Sequence, residues 1–98
     1  MSKRYVLFIA ETEISDGEVK ELQKVLEARY GRMKLIQVKG NPRAVIVKTT
    51  NEVAPLLRDR SHPVVVAGKK LETVLTSGAV VNLKKRALEA KADGQVPK

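Results

Sequence analysis

Few side chains in this 98-residue sequence could carry acid–base, metal or nucleophilic chemistry. His62 is the only histidine, and it stands in Ser61-His62-Pro63, where the proline breaks the chain. A lone imidazole in a loop reads as a solvated one. Cysteine is absent, which removes thiolate nucleophiles and disulfides. With a single histidine as well, no metal-ligand set of the usual spacing remains. Glu11 and Glu13 lie two apart at the end of an apolar run and could share one face. A carboxylate pair doing general acid–base work needs a deep cleft around it. A chain this short buries only about 60–70% of its unfolded surface and has little room for one, so both read as solvated loop acids. No Walker loop and no dinucleotide glycine fingerprint occurs. The sequence therefore predicts no protein-borne active site, no metal and no cofactor.

Positive charge is the chemistry the chain does offer. Nineteen basic residues face eleven acidic ones, for a net charge of +8 and a pI near 10.0. An anionic partner is favoured, nucleic acid first. The excess is even: residues 1–50 carry 10 basic and 6 acidic residues, residues 51–98 carry 9 and 5, so neither half is a detachable basic tail. The plainer explanation is a highly charged, soluble surface of the kind thermophilic proteins carry. The candidate RNA-binding residues are Lys39 and Arg43 at one turn, Lys69 and Lys70 at another, and Lys84, Lys85 and Arg86 on a last helix.

That last group follows an organising stretch, Leu71 to Leu88. It alternates through Leu75, stops at Thr76-Ser77-Gly78, then takes a helical period. Such a strand-to-helix junction aims backbone N–H groups and the positive end of the helix dipole at whatever lies above the strand end. Successive helical residues are about 100° apart, so Lys84, Lys85 and Arg86 fan around the helix and cannot share one stripe. Read plainly, they are cations suited to the helix's C-terminal dipole.

The elements that would position these residues follow from periodicity. Arg4–Glu11 contains the continuous apolar run Tyr5–Ala10 and reads as a central strand buried on both faces. Ser15-Asp16-Gly17-Glu18 has the spacing of a capping box. A helix then runs to Tyr30, with Gly31 placed to end it in the left-handed conformation. Met33–Val38 and Arg43–Lys48 form a hairpin across the turn Lys39-Gly40-Asn41-Pro42. A short helix spans 51–58, capped by Thr50 or Asn51, with Pro55 near its start. Val64–Ala67 and Leu71–Leu75 are either a tight hairpin around Gly68-Lys69-Lys70 or one bulged strand. The last helix covers 78–90, in a single domain of residues 3–91, and 92–98 read as a frayed, disordered tail. No apolar run is long enough to span a bilayer or to serve as a signal core. The expectation is a soluble, cytoplasmic protein without membrane contact.

The resulting fold class is α+β: a β-α-β-β-α-β antiparallel sheet in the split-βαβ, ferredoxin-like order, with an added C-terminal helix. The RNA recognition motif has this order and stacks bases on sheet aromatics. Here the corresponding segment, Arg43-Ala44-Val45-Ile46-Val47-Lys48, has no aromatic residue, and the whole chain has only Tyr5, Phe8 and Tyr30. Contact with RNA would run through phosphates and shape. With two helices on one sheet face, the other face should be polar, yet Tyr5, Leu7 and Ile9 lie opposite Val6 and Phe8. Either the C-terminal helix covers that face or another protein does. The helix offers Val80, Leu83 and Ala87 on one arc and Val81 and Leu88 on another, which points to contact on two sides and to a protein partner.

Over residues 3–88 the chain resembles the small ferredoxin-like subunit of archaeal and eukaryotic ribonuclease P, component 2 in the archaeal naming. The similar features are the opening strand Lys3-Arg4-Tyr5-Val6-Leu7-Phe8-Ile9 and the glycine of Tyr30-Gly31. They include the hairpin from Leu35-Ile36 through Gly40 to Arg43-Ala44-Val45-Ile46-Val47, and Val53-Ala54-Pro55-Leu56. They end with Gly68-Lys69-Lys70 running through Thr76-Ser77-Gly78-Ala79 to Lys84-Lys85-Arg86. The resemblance implies a subunit of an RNA-based endonuclease that removes the 5′ leader of precursor tRNA. Catalysis would then belong to the RNA and its metal ions. The implied partners are ribonuclease P RNA, precursor tRNA and a TIM-barrel-like protein subunit. The alternatives are a ferredoxin-like interaction or dimerisation module without an RNA role, and a small DNA-coating protein.

Overall fold

The computed structural model describes residues 3–59 and 64–94. The elements are β1 (Lys3–Ala10), α1 (Asp16–Tyr30), β2 (Lys34–Val38), β3 (Asn41–Thr50), α2 (Ala54–Leu57), β4 (Val64–Val66), β5 (Lys69–Ser77) and α3 (Val80–Gly94). The protein is a small α+β domain built on one antiparallel five-stranded sheet in the order β2-β3-β1-β5-β4. Four strands were expected. The fifth, β4, arises because Val64–Val66 and Lys69–Ser77 pair as a hairpin, which settles the choice between hairpin and single strand.

The apolar run of β1 does what a doubly buried strand must. Val6, Phe8 and Ala10 face α1 and α2, in a core with Leu22, Leu26, Val45, Val47, Leu57, Val64 and Leu71. Leu7 faces the other way, into a second core with Val38, Ala44, Ile46, Leu83 and Ala87, flanked by Tyr5, Ile9 and Val80. The second sheet face is thus covered by α3, and the chain itself supplies the layer for which a separate protein was the alternative. Val81 and Leu88 remain exposed on the outer arc of α3.

Local chemistry sets the joints. The capping box at α1 is complete: Glu18 N–H donates to Ser15 Oγ at 3.3 Å and Ser15 N–H to Glu18 Oε1 at 2.9 Å. Gly31 ends α1 at φ 94°, ψ −171°. That is a region open essentially only to glycine, but not the left-handed helical basin that was expected. The last helix starts at Val80 rather than at residue 78, because β5 continues through Ser77. It runs to Gly94, so part of the stretch expected to fray is helical; 95–98 lie outside the described residues, as does Ser61-His62-Pro63. The short helix contracts to Ala54–Leu57; Thr50 Oγ1 takes the Val53 N–H at 3.3 Å.

The β2–β3 hairpin is irregular. Val38 pairs with Asn41 across the turn Lys39-Gly40, but Gln37 pairs with Val45, so residues 42–44 have no partner on β2. Pro42 has no N–H to give a ladder, and its carbonyl instead accepts from Ile14 N–H at 3.0 Å. Arg43 N–H goes to Asn41 Oδ1 at 3.1 Å. Asn41, 1% exposed, sends its Nδ2 to the Ala87 carbonyl at 2.8 Å and fastens α3 to the hairpin. A Cβ on Gly40 would come within 2.8 Å of Leu88, so glycine lets helix and turn touch.

In the β4–β5 turn, Ala67 and Gly68 both have positive φ, 51° and 78°, as a two-residue hairpin of the primed kind requires. Alanine there carries a strain that asparagine tolerates. Ala67→Asn is expected to raise stability by about 0.5–1 kcal/mol in denaturant titration. Leu83, on the side of α3 that faces the sheet, is fully buried, and Leu83→Ala should lower stability by about 2–5 kcal/mol in the same measurement.

Candidate nucleic-acid interface

The sequence-selected cations fall into two groups. Lys39 lies exposed in the β2–β3 turn and Arg43, half-buried, in the unpaired part of β3. Lys69 and Lys70 open β5 beside the end of β1, since Leu71 pairs with Ala10. Ile9 pairs with Ala44, so both turns sit at the same end of the sheet. Lys84, Lys85 and Arg86 lie between the buried Leu83 and Ala87 and are exposed on the outer side of α3.

Lys69 has a role within the fold. Its Nζ donates to Glu18 Oε1 at 2.9 Å and to the Glu13 carbonyl at 2.6 Å. It therefore ties the β4–β5 hairpin to the start of α1. Glu18 is held below its ordinary pKa of 4.5, chiefly by the Ser15 N–H and then by Lys69. Its contribution to stability is present above that value and is lost as the pH falls through the lowered pKa. Glu11 Oε1 accepts the Lys70 N–H at 3.1 Å, so the Glu11 carboxylate serves the hairpin, and Glu13 serves it through its backbone carbonyl; both residues are exposed. Acids and cations are interleaved at this end.

The opposite end is different. There the register places Ser77, Tyr5, Lys48 and Lys34 in one row across β5, β1, β3 and β2. All share the sheet face of Ile46 and Leu7, the face that α3 covers farther along. Lys3 lies two residues before Tyr5 on the same face. Lys48 is half-buried; Lys3 and Lys34 are exposed. Like charges directly opposite each other in a sheet repel. The Lys48 ammonium is accordingly held below its ordinary pKa of 10.5, first by the charge of Lys3, then by desolvation and contact with Lys3, then by Lys34.

Sequence reasoning missed this row because it depends on the three unpaired residues of β3. Continuing the pairing of Val38 with Asn41 would set Lys34 opposite Val45 and turn it to the other face. The shift sets it opposite Lys48. The one readable signal was Pro42, which cannot donate within a ladder. His62 lies outside the described residues, and among those described no group of three or more His, Asp or Glu side chains is arranged to hold a metal. No helix among them is long and apolar enough to cross a membrane. No protein-family model matches the chain, and no curated protein matches it.

The folded pKa of Lys48 lies below 10.5, so between the two values the unfolded chain binds more protons and stability rises with pH. Lys48→Gln is expected to raise the melting temperature at neutral pH and low salt. The gain should shrink as salt screens the repulsion and vanish above about pH 10.5. Thermal melts across salt and pH check both trends.

Proposed function

We propose that the protein is a non-catalytic, RNA-bracing subunit of a ribonuclease of the ribonuclease P kind, one that supports the RNA that removes the 5′ leader from precursor tRNA. The observation that carries this reading is the pairing of a net charge of +8 with a sheet whose central strands are covered on both faces by its own helices. What such a surface offers a partner is mainly cations. Lys39, Lys70, Lys84 and Lys85 are exposed for phosphate contact. Each phosphate neutralised releases counterions, so affinity would fall steeply with salt.

The topology supports the resemblance noted in the sequence. With β4 set aside, β1-α1-β2 leaves room for β3 between its two strands, as a split βαβ, ferredoxin-like unit does. In this reading the RNA and its metal ions perform the hydrolysis in the cytoplasm, and the protein holds crowded phosphates together. A TIM-barrel-like protein subunit would dock on apolar area left free. Val81, 66% exposed, and Leu88 on α3 supply some of it.

The same exposed residues, with Val65 on the edge strand β4, favour the second reading, a ferredoxin-like interaction or dimerisation module with no RNA role. A mobility-shift titration with transcribed precursor tRNA and ribonuclease P RNA separates them. The RNA-bracing reading expects binding and faster leader cleavage when the chain is added to the reconstituted enzyme. Reversing Lys84 and Lys85 to Glu should weaken binding and flatten the slope of log affinity against log salt by about 1–2. An unchanged slope would remove those residues from the interface, preference for duplex DNA would indicate a DNA-coating protein, and no binding to either would leave the interaction module.

A further inference from the structure

We infer that Lys3, Lys34 and Lys48, arranged around Tyr5 on three adjacent strands, form a phosphate-binding site at the end of the sheet where α3 begins. The inference deepens the RNA-bracing reading by naming a contact surface that composition and spacing did not reveal, and it can stand or fall separately.

Three features set this cluster apart from ordinary surface lysines. The first is its placement. An edge strand gains from a lysine, because the charge deters pairing with other sheets, and Lys34 on β2 is explained in that way. Lys48 is on β3 and Lys3 on β1, both interior strands; edge protection explains neither.

The second is the absence of compensation. Lys69, at the other end, has Glu18 at 2.9 Å. The influences that move Lys48 are two further lysines and desolvation, with no carboxylate among them. Of the acids that flank these strands, Glu52 is exposed in the turn beyond Thr50, and Glu27 Oε2 accepts the Met33 N–H at 3.4 Å. The row thus costs the free protein stability, which a bound anion would return.

The third is the neighbouring helix end. α3 leaves the sheet just after Ser77, the β5 residue in the same row. Its first turn contains no acidic residue, unlike that of α1, which has Asp16 and Glu18. Ser77 Oγ accepts the Ala79 N–H at 3.1 Å, and the positive end of the helix dipole adds to the lysines. Tyr5, half-buried in the row, offers a phenol as a hydrogen-bond donor or a face for a base or sugar. The ligand that fits is a phosphate group, either free or in the backbone of an RNA.

The test uses the full chain labelled for NMR of its lysine side chains, titrated with inorganic phosphate and, separately, with transcribed precursor tRNA. Phosphate is expected to shift Lys3, Lys34 and Lys48 saturably and to raise the pKa of Lys48. The triple variant Lys3→Gln, Lys34→Gln, Lys48→Gln should weaken phosphate binding at least tenfold. It should lower the salt slope for tRNA by about 2, whereas Lys24→Gln on the outer side of α1 should change neither. A melting temperature at or above that of the parent shows that the variant folds. Saturable phosphate binding without any tRNA binding supports the site and assigns it to a small phosphate ligand, and the RNA-bracing reading then falls. Binding of tRNA with an unchanged slope in the triple variant, together with no saturable phosphate shift, overturns the site and leaves the RNA-bracing reading in place.

Discussion

The structure depends on β1 being apolar on both sides. Val6, Leu7 and Phe8 are consecutive, and each is buried, two against one layer and one against the other. A strand in the middle of a sheet with two dry faces needs two covers. One is α1 with α2; the other is α3. Burying a side chain such as Leu7 or Phe8 contributes roughly 1.5–3 kcal/mol. Losing either cover would expose several such residues at once, which is more than a domain of this size can absorb.

Much of this was legible. The burial of Val6, Leu7, Phe8 and Ala10, the complete capping box at Ser15 and Glu18, and the helix stop at Gly31 follow from patterns that hold locally. The end of α3 was less legible, because Asp93-Gly94 reads as a terminator while the helix carries on to it. The β4–β5 hairpin was ambiguous for a specific reason. Its second turn residue is the expected glycine, but its first is Ala67, which does not announce a positive φ. The hairpin and the single bulged strand therefore both stayed open, with the turn read at Gly68-Lys69-Lys70 where the structure has it at Ala67-Gly68.

The site was less legible than the fold, and for a different reason. A cation in a sequence carries no sign of what lies opposite it. Lys69 looked like a surface charge and proves to fasten a hairpin to a helix. Lys34 and Lys48 are fourteen residues apart, and only the three-residue excess in β3 brings them face to face. Long-range register decides which charges are compensated and which are left to repel, and register at an irregular hairpin is the feature that local patterns encode least. The outcome is a domain with a mixed-charge end, where acids and cations anchor turns, and an opposite end where lysines from three adjacent strands face one another and no carboxylate is among the influences on Lys48.

The order of the elements has one more effect. α3 follows every strand in the chain, so on the ribosome the whole sheet leaves the exit tunnel before its second cover does. At ordinary synthesis rates of about 5–20 residues per second, Leu7, Ala44 and Ile46 stay wet for a second or more while that helix is still being made. For that interval the nascent sheet is a one-sided film, sticky on its open surface, and a natural client for chaperones that shield unfinished domains.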